Sequence, residues 1–196
     1  VSLEPQQLLS EVKPRDLFGV YATFYERYRA TSGKNRWGCK STFMIDYADR
    51  ILQNYPKAKL IWLVRDPRDV AVSSRKSVFN PFHPYLTAEL WTQQQQVALN
   101  LVATLPTDTI LKLRYEDLLT DSEEQVKRLC EFLEEPFEAG MLRFFETDEA
   151  QKSGKLSKSW ENTAKPILTN NFGKYRKQLT EEEIKWVEAV AGEVMR

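Results

Sequence analysis

The densest chemistry in the sequence lies in nine consecutive residues, Arg65-Asp66-Pro67-Arg68-Asp69-Val70-Ala71-Val72-Ser73. They follow directly on Leu60-Ile61-Trp62-Leu63-Val64, a continuous apolar run too short for an independent helix and flanked by Lys59 and Arg65. That is the pattern of a parallel strand buried on both faces. Asp66-Pro67 reads as a turn into a helix over 69–76, since Pro fixes the approach and Asp suits the first turn or cap. In open α/β sheets ligands bind beyond the carboxyl ends of the strands, and a helix N-terminus favours an anion through free amides and aligned peptide dipoles. The nonamer is therefore a candidate phosphate site. Arg65 can offer a planar fork to phosphate oxygens, and Ser73, two turns further on, can add a hydroxyl donor. The competing reading is an ordinary surface salt bridge from Arg65 to Asp66 or Asp69, which the nonamer alone leaves open.

Three further segments hold candidate residues. Tyr115 ends a second strand-like stretch, 109–115, and offers a π-face to a purine and a hydroxyl to a polar partner, although a tyrosine at a strand end is otherwise a core residue. Lys40 stands in Trp37-Gly38-Cys39-Lys40-Ser41 and, taken alone, is a solvated lysine. From Glu146 to about Lys174 periodicity fails and Lys, Ser, Gly, Asn and Thr dominate; a stretch of that length inside a compact domain is usually functional or disordered.

An apolar strand followed by R-D-P-R-D-x-x-x-S is similar to the 3'-phosphate-binding segment of sulfotransferases that use 3'-phosphoadenosine 5'-phosphosulfate (PAPS). The resemblance implies that Arg65 and Ser73 hold the 3'-phosphate. Arg114-Tyr115-Glu116-Asp117-Leu118 resembles the family's Y-E-D-L segment, which would set Tyr115 near the adenine. Trp37 to Ser41 resembles its W-G-x-K-T/S stretch, which would set Lys40 near the bridging oxygen, where a fixed cation stabilises the leaving 5'-phosphate. Ser159 to Lys174 resembles the C-terminal segment that closes over PAPS in tyrosylprotein sulfotransferases and bacterial relatives. There Ser159 would contact the sulfuryl or 5'-phosphate end, and Gly173-Lys174-Tyr175 would cover the 3'-phosphate with a backbone amide and the Lys174 ammonium. The four segments run in family order from about residue 37 to the C-terminus.

The resemblance thus implies an enzyme that passes the sulfuryl group of PAPS to a hydroxyl or amine by in-line displacement, releasing adenosine 3',5'-bisphosphate, with no metal. A small molecule, a carbohydrate or a peptide would be the acceptor, and 79–86, aromatic and proline-rich, is the expected part of its wall. The alternative is a non-catalytic relative or scaffold that keeps only the 3'-phosphate site. A nucleoside kinase would need a Walker lysine and a Mg²⁺ ligand, which the sequence does not display. The family's loop for the 5'-phosphosulfate has no counterpart either: neither G-x-x-x-x-G-K-[ST] nor an S-G-T-T type run occurs, and residues 1–36 hold only Gly19 and Gly33. Either the family's N-terminal part is missing from this chain, the expected case, or the protein is a degenerate relative. The base is not assigned: Thr42 stands where the cytosolic branch has a histidine, and His83 reads as an ordinary loop residue. In the tyrosylprotein branch the base is a glutamate soon after the loop that is not found here.

The elements that would position these residues alternate. The periodicity predicts an amphipathic helix over 16–30 with Leu17, Tyr21, Phe24, Tyr25 and Tyr28 on one face, a break from Gly33 to Gly38, and a helix over 45–55. A long helix is expected over 87–105, one after a capping box at Asp121-Ser122-Glu123-Glu124, and a last one capped by Thr180-Glu181-Glu182-Glu183. The fold class is therefore α/β, a single domain over 1–196 in which helices flank a parallel sheet. The family resemblance makes it the P-loop nucleoside triphosphate hydrolase-like sulfotransferase fold without its first strand-loop-helix. Twenty-eight basic and 28 acidic residues cancel, so no overall field draws nucleic acid, and an anion site has to be local. No apolar run approaches a membrane span. Cys39 and Cys130, far apart and without metal-ligand spacing, read as two thiols of a reducing compartment: the cytoplasm is expected, or the Golgi lumen where an upstream membrane anchor was removed.

Overall fold

The computed structural model describes residues 5–77, 82–156 and 158–195, which divide into two compact units, Val1–Met44 and Ile45–Arg196. In the first unit, helix α1 (Pro5–Glu11) is joined to α2 (Leu17–Thr31) by an ion pair between Arg27 and Glu11. Asp16 caps α2 by accepting the Gly19 N–H at 2.8 Å. Gly19 can only be glycine there, because a Cβ would fall 1.8 Å from the Pro14 carbonyl oxygen. After Gly33, in the left-handed region at φ +63°, the chain folds back on α2. Trp37 then stacks on Tyr25, with ring centroids 4.8 Å apart, and donates its indole N–H to Glu26 at 2.7 Å. The aromatic face expected to be inward is only partly covered: Tyr21, Phe24 and Tyr28 remain about half exposed. Two helices offer too little surface to enclose it, and Val12 and Gly19 are the buried residues among those described in this unit.

The second unit is mostly helical around a small parallel sheet. Strand β1 (Leu60–Val64) pairs with β2 (Ile110–Arg114) in the register Leu60↔Ile110 to Val64↔Arg114. Between them the chain forms α4 (Pro67–Ser74) and α5 (Pro84–Thr104), and α3 (Ala48–Asn54) precedes them after a 3₁₀ turn, Met44–Tyr47. Ala48, Trp62, Ala98, Leu101 and Ile110 make one apolar cluster across α3, the sheet and α5. Inside it the Trp62 indole donates to Gln95 at 2.7 Å and Gln95 donates to the Trp91 carbonyl at 3.2 Å, so the buried polar atoms are satisfied. After β2 come α6 (Tyr115–Thr120) and α7 (Ser122–Leu133), then a 3₁₀ stretch Ala139–Glu146, α8 (Asp148–Leu156) and a second 3₁₀ stretch, Lys158–Ala164. Helices α9 (Tyr175–Gln178) and α10 (Glu181–Ala191) close the chain, and Ala71, Val72, Ala88, Tyr175, Leu179 and Val187 form a second cluster joining α4, α5, α9 and α10.

Several expectations are corrected. Strand β1 is not buried on both faces: the pleat turns Ile61 and Leu63 away from the Trp62 cluster, and they are 45% and 51% exposed. Helices α4 and α5 start at Pro67 and Pro84, two and three residues before the expected positions, because proline at the first helical position gives up no needed N–H. Asp121 makes no side-chain cap to α7; Ser122 instead donates to the Leu118 carbonyl at 2.7 Å. The region 146–174 contains α8 and a 3₁₀ stretch rather than only irregular chain. His83 is not a plain loop residue, since its Nδ1 accepts the Tyr85 N–H at 3.3 Å and caps α5. The capping box at Thr180 and Glu183 is present in full.

Candidate functional site

Strand β1 ends at Val64 and α4 begins at Pro67, so Arg65 and Asp66 form the whole connection. Asp66 turns back on the helix it opens. Its carboxylate accepts the Arg68 N–H at 2.9 Å and the Arg68 guanidinium at 2.7 and 3.0 Å, while its own N–H donates to Glu116 at 3.0 Å. Arg68 also reaches Glu188 at 2.7 Å and lies over the Tyr175 ring at 4.2 Å. The hydrogen bond to Asp66, joined by that to Glu188 and opposed by burial, holds the Arg68 guanidinium above its ordinary pKa. Its charge is balanced by two carboxylates.

Asp69 is used differently. It is 1% exposed and accepts the backbone N–H groups of Gly173 at 2.5 Å and Tyr175 at 3.0 Å. With Asp66 and Asp69 so engaged, the salt-bridge reading of Arg65 fails.

Arg65 instead sits in a cradle of neutral groups. Its Nη1 donates to Ser73 Oγ at 3.2 Å, its Nη2 donates to the Asn171 carbonyl at 3.0 Å, and its guanidinium lies 4.6 Å from the centroid of the Tyr115 ring. Its backbone carbonyl accepts the Trp91 indole N–H at 3.0 Å, and the Asn171 side chain donates to the Tyr115 hydroxyl at 2.7 Å. Arg65 Nε is buried and has no hydrogen-bond partner among the described residues. A guanidinium has five N–H donors in a fixed fork. Here it is oriented on three sides, balanced by no carboxylate among the described residues, and holds a buried donor whose lack of a partner costs about 1–3 kcal/mol. Each Nη keeps a second N–H beyond these bonds, and those are the groups an anion oxygen can meet. Ser73, exposed at the same edge, and the Tyr115 hydroxyl can donate to the same oxygens.

Three residues singled out in the sequence, Arg65, Ser73 and Tyr115, thus meet at one strand end. Lys174 is exposed and precedes α9 on the segment that Asp69 holds. Of the three amides of Gly173-Lys174-Tyr175, Asp69 takes those of Gly173 and Tyr175. Lys40 belongs to the Val1–Met44 unit, where it is exposed in chain without regular structure. Ser159 lies in the 3₁₀ stretch Lys158–Ala164, and its side chain is outside the described residues. Residues 79–81 of the expected acceptor wall are likewise outside them, while Phe82, Tyr85 and Leu86 are exposed. Sequence reading missed Asn171 and the tethering role of Asp69; the sole signal was a glycine two residues after an asparagine in a non-periodic stretch, which the structure places in the left-handed region.

A family model described as the sulfotransferase family matches residues 9–139, more than half of the 196, and the chain belongs to that family. Among curated relatives it is 26% identical over 140 residues to an uncharacterized protein of Aquifex aeolicus and 24% identical over 160 residues to protein-tyrosine sulfotransferase A of Caenorhabditis elegans. These alignments take in 67% and 78% of this chain. The chain spans 18% and 42% of the length of those two relatives. Among solved structures, the sulfotransferase domain from the curacin biosynthetic pathway superposes with a TM-score of 0.66 at 20% identity, over 97% of this chain and 77% of that one. The fold is accordingly that of a sulfotransferase domain. Among the described residues no helix is long and apolar enough to cross a membrane.

Proposed function

We propose that this chain supplies the 3'-phosphate and adenine half of the donor site of an enzyme that transfers the sulfuryl group of PAPS to a hydroxyl or amine acceptor. One observation carries the reading: the Arg65 guanidinium is fixed by Ser73, Asn171 and Tyr115 and has no carboxylate partner among the described residues. A phosphate dianion would take the remaining Nη N–H groups together with the Ser73 hydroxyl, and charge-assisted bonds of this kind are about twice as strong as neutral ones. Tyr115, with its ring against Arg65, would border the purine. Lys174 would add an ammonium at the rim.

PAPS supplies an activated sulfuryl group with adenosine 3',5'-bisphosphate as leaving group, so the chemistry asked of the protein is orientation and charge stabilisation. Lys40 is the proposed cation for the leaving phosphate and Ser159 a proposed donor to the sulfuryl end. Both assignments rest on the family motifs that carry them. The parallel sheet and the superposition support the P-loop nucleoside triphosphate hydrolase-like arrangement for the whole protein. A small molecule, a carbohydrate or a peptide would be the acceptor.

Calorimetric titration of the full-length protein with adenosine 3',5'-bisphosphate tests this. Wild type is expected to bind; Arg65→Ala should weaken binding by roughly 10- to 100-fold, the loss of a charge-assisted pair worth about 1.5–3 kcal/mol. Ser73→Ala should cost about tenfold, the low end for a hydrogen bond to a charged group. No binding by the wild type, or unchanged affinity in Arg65→Ala, rules the reading out.

A further inference from the structure

Asp69 is the most deeply buried charged residue among those described, and both of its oxygens are used outside its own helix. A carboxylate in the first turn of a helix ordinarily serves that helix's own amides. Asp69 serves those of Gly173 and Tyr175, which lie 104 and 106 positions along the chain. Burying a carboxylate is costly unless its lone pairs are occupied, and apolar packing of the kind that joins Ala71 and Val72 to Tyr175 and Leu179 could hold a helix to a segment just as well. What the carboxylate adds is direction: two N–H groups two residues apart, brought into line by the left-handed turn at Gly173 (φ +67°), fix the segment's register on α4.

Two residues before Gly173 stands Asn171, whose carbonyl accepts Arg65 Nη2 and whose side chain donates to the Tyr115 hydroxyl. Segment 171–175 is therefore a strap: tied at one end to Asp69, and at the other setting the angle of the guanidinium and of the ring beneath it. Arg65 and Asp69 are on the same connection and first turn, so the strap's two ends bear on one rigid piece of chain.

We propose that Asp69 is a positioning residue of the donor site: by latching strap 171–175 onto α4 it holds Asn171 where Arg65 and Tyr115 are oriented for the 3'-phosphate. The inference rests on the donor-site reading above and deepens it. Asp69 touches no substrate and acts through Asn171. Its loss should therefore cost the recognition of the 3'-phosphate more than that of the rest of the nucleotide.

The measurement is a pair of dissociation constants in the full-length protein, and the ratio of the constant for adenosine 5'-monophosphate to that for adenosine 3',5'-bisphosphate isolates the 3'-phosphate. In Asp69→Asn, whose single remaining oxygen cannot accept both amides in the native arrangement, the ratio should fall by about tenfold, with affinity for the monophosphate changed by less than about threefold. Leu101→Ala, a cavity in the other cluster, serves as the control for lost stability and should leave the ratio at the wild-type value. Gly173→Ala is the milder arm: nothing lies within 4 Å of the new Cβ, so it acts only by straining the left-handed turn, and the ratio should fall several-fold. An unchanged ratio in folded Asp69→Asn or Gly173→Ala, or an equal fall in Leu101→Ala, overturns the proposal while wild-type binding and its loss in Arg65→Ala leave the donor-site reading standing. If Asp69→Asn does not fold, Gly173→Ala decides. Absence of bisphosphate binding by the wild type overturns both.

Discussion

The two arginines of the nonamer are three residues apart and have opposite fates, decided by which acidic groups reach each of them. Arg68 is closed off by Asp66 and Glu188, whereas Arg65 meets a hydroxyl, a carbonyl and an aromatic face and so keeps its charge for something else. Tyr115 contributes to that arrangement twice, with its ring and with its hydroxyl, and the two parts can be separated. Tyr115→Phe removes the acceptor for Asn171 and should weaken adenosine 3',5'-bisphosphate binding by about fivefold, one neutral hydrogen bond. Tyr115→Ala also removes the ring beneath Arg65 and should exceed about tenfold. In an Asn171→Ala background, Tyr115→Phe should add almost nothing; full additivity in that double-mutant cycle would mean that the hydroxyl acts through another partner. Arg65, Ser73 and Tyr115 were legible in the sequence because a strand end running into a helix is a local signal. Asn171 and the tether at Asp69 were not, since hydrogen bonds across 104 to 106 positions leave no mark in local spacing.

Among the elements, α10 shows how far local signals reach. Thr180-Glu181-Glu182-Glu183 specified its capping box, and the structure has both halves of it: the Thr180 hydroxyl accepts the Glu183 N–H at 3.2 Å and the Glu183 carboxylate accepts the Thr180 N–H at 2.9 Å. The similar run at Asp121 failed because α6 continues to Thr120 and its carbonyls, not free amides, are what Ser122 meets. Strand β1 was placed correctly to the residue, but an apolar run does not reveal whether both faces are covered, and Ile61 and Leu63 are not. The Glu183 carboxylate also pairs with Arg75, which ties the end of α4 to α10. The Thr180 backbone N–H first, then Arg75, lower its pKa below the ordinary 4.5, against the opposing effect of burial. A carboxyl depressed in the folded state stabilises above its unfolded value, and that contribution is lost as pH falls through the folded value. Glu183→Gln keeps a capping group but no charge, so it should lower stability by about 0.5–1 kcal/mol at neutral pH, given that Arg75 is partly exposed. Thermal melts should show the gap closing below the ordinary carboxyl value of 4.5. A gap of equal size in acid and at neutrality would assign the effect to packing.

For the molecule as a whole, where apolar surface is enclosed decides which parts hold firm. Charge does not decide it, because 28 basic and 28 acidic residues cancel. Within Ile45–Arg196 two clusters enclose side chains from α3, β1, β2 and α5, and from α4, α5, α9 and α10. Within Val1–Met44 only Val12 and Gly19 are buried among the described residues, and most of the aromatic face of α2 is open. Opening free energies follow local burial, so amide hydrogen exchange should be slowest in α5 and the β1–β2 pair and at least about a hundredfold faster in α2. Val187, with 0% exposure at the centre of the second cluster, provides the complementary test. Val187→Ala leaves a cavity and should cost about 2 kcal/mol. The loss should register as faster exchange in α4, α5 and α10, which share the cluster. Protection in α2 equal to that in α5 would mean that burial counts do not rank these elements. Unchanged exchange in α4 and α10 on Val187→Ala would mean that the second cluster does not hold the helix carrying Ser73 and Asp69 in place.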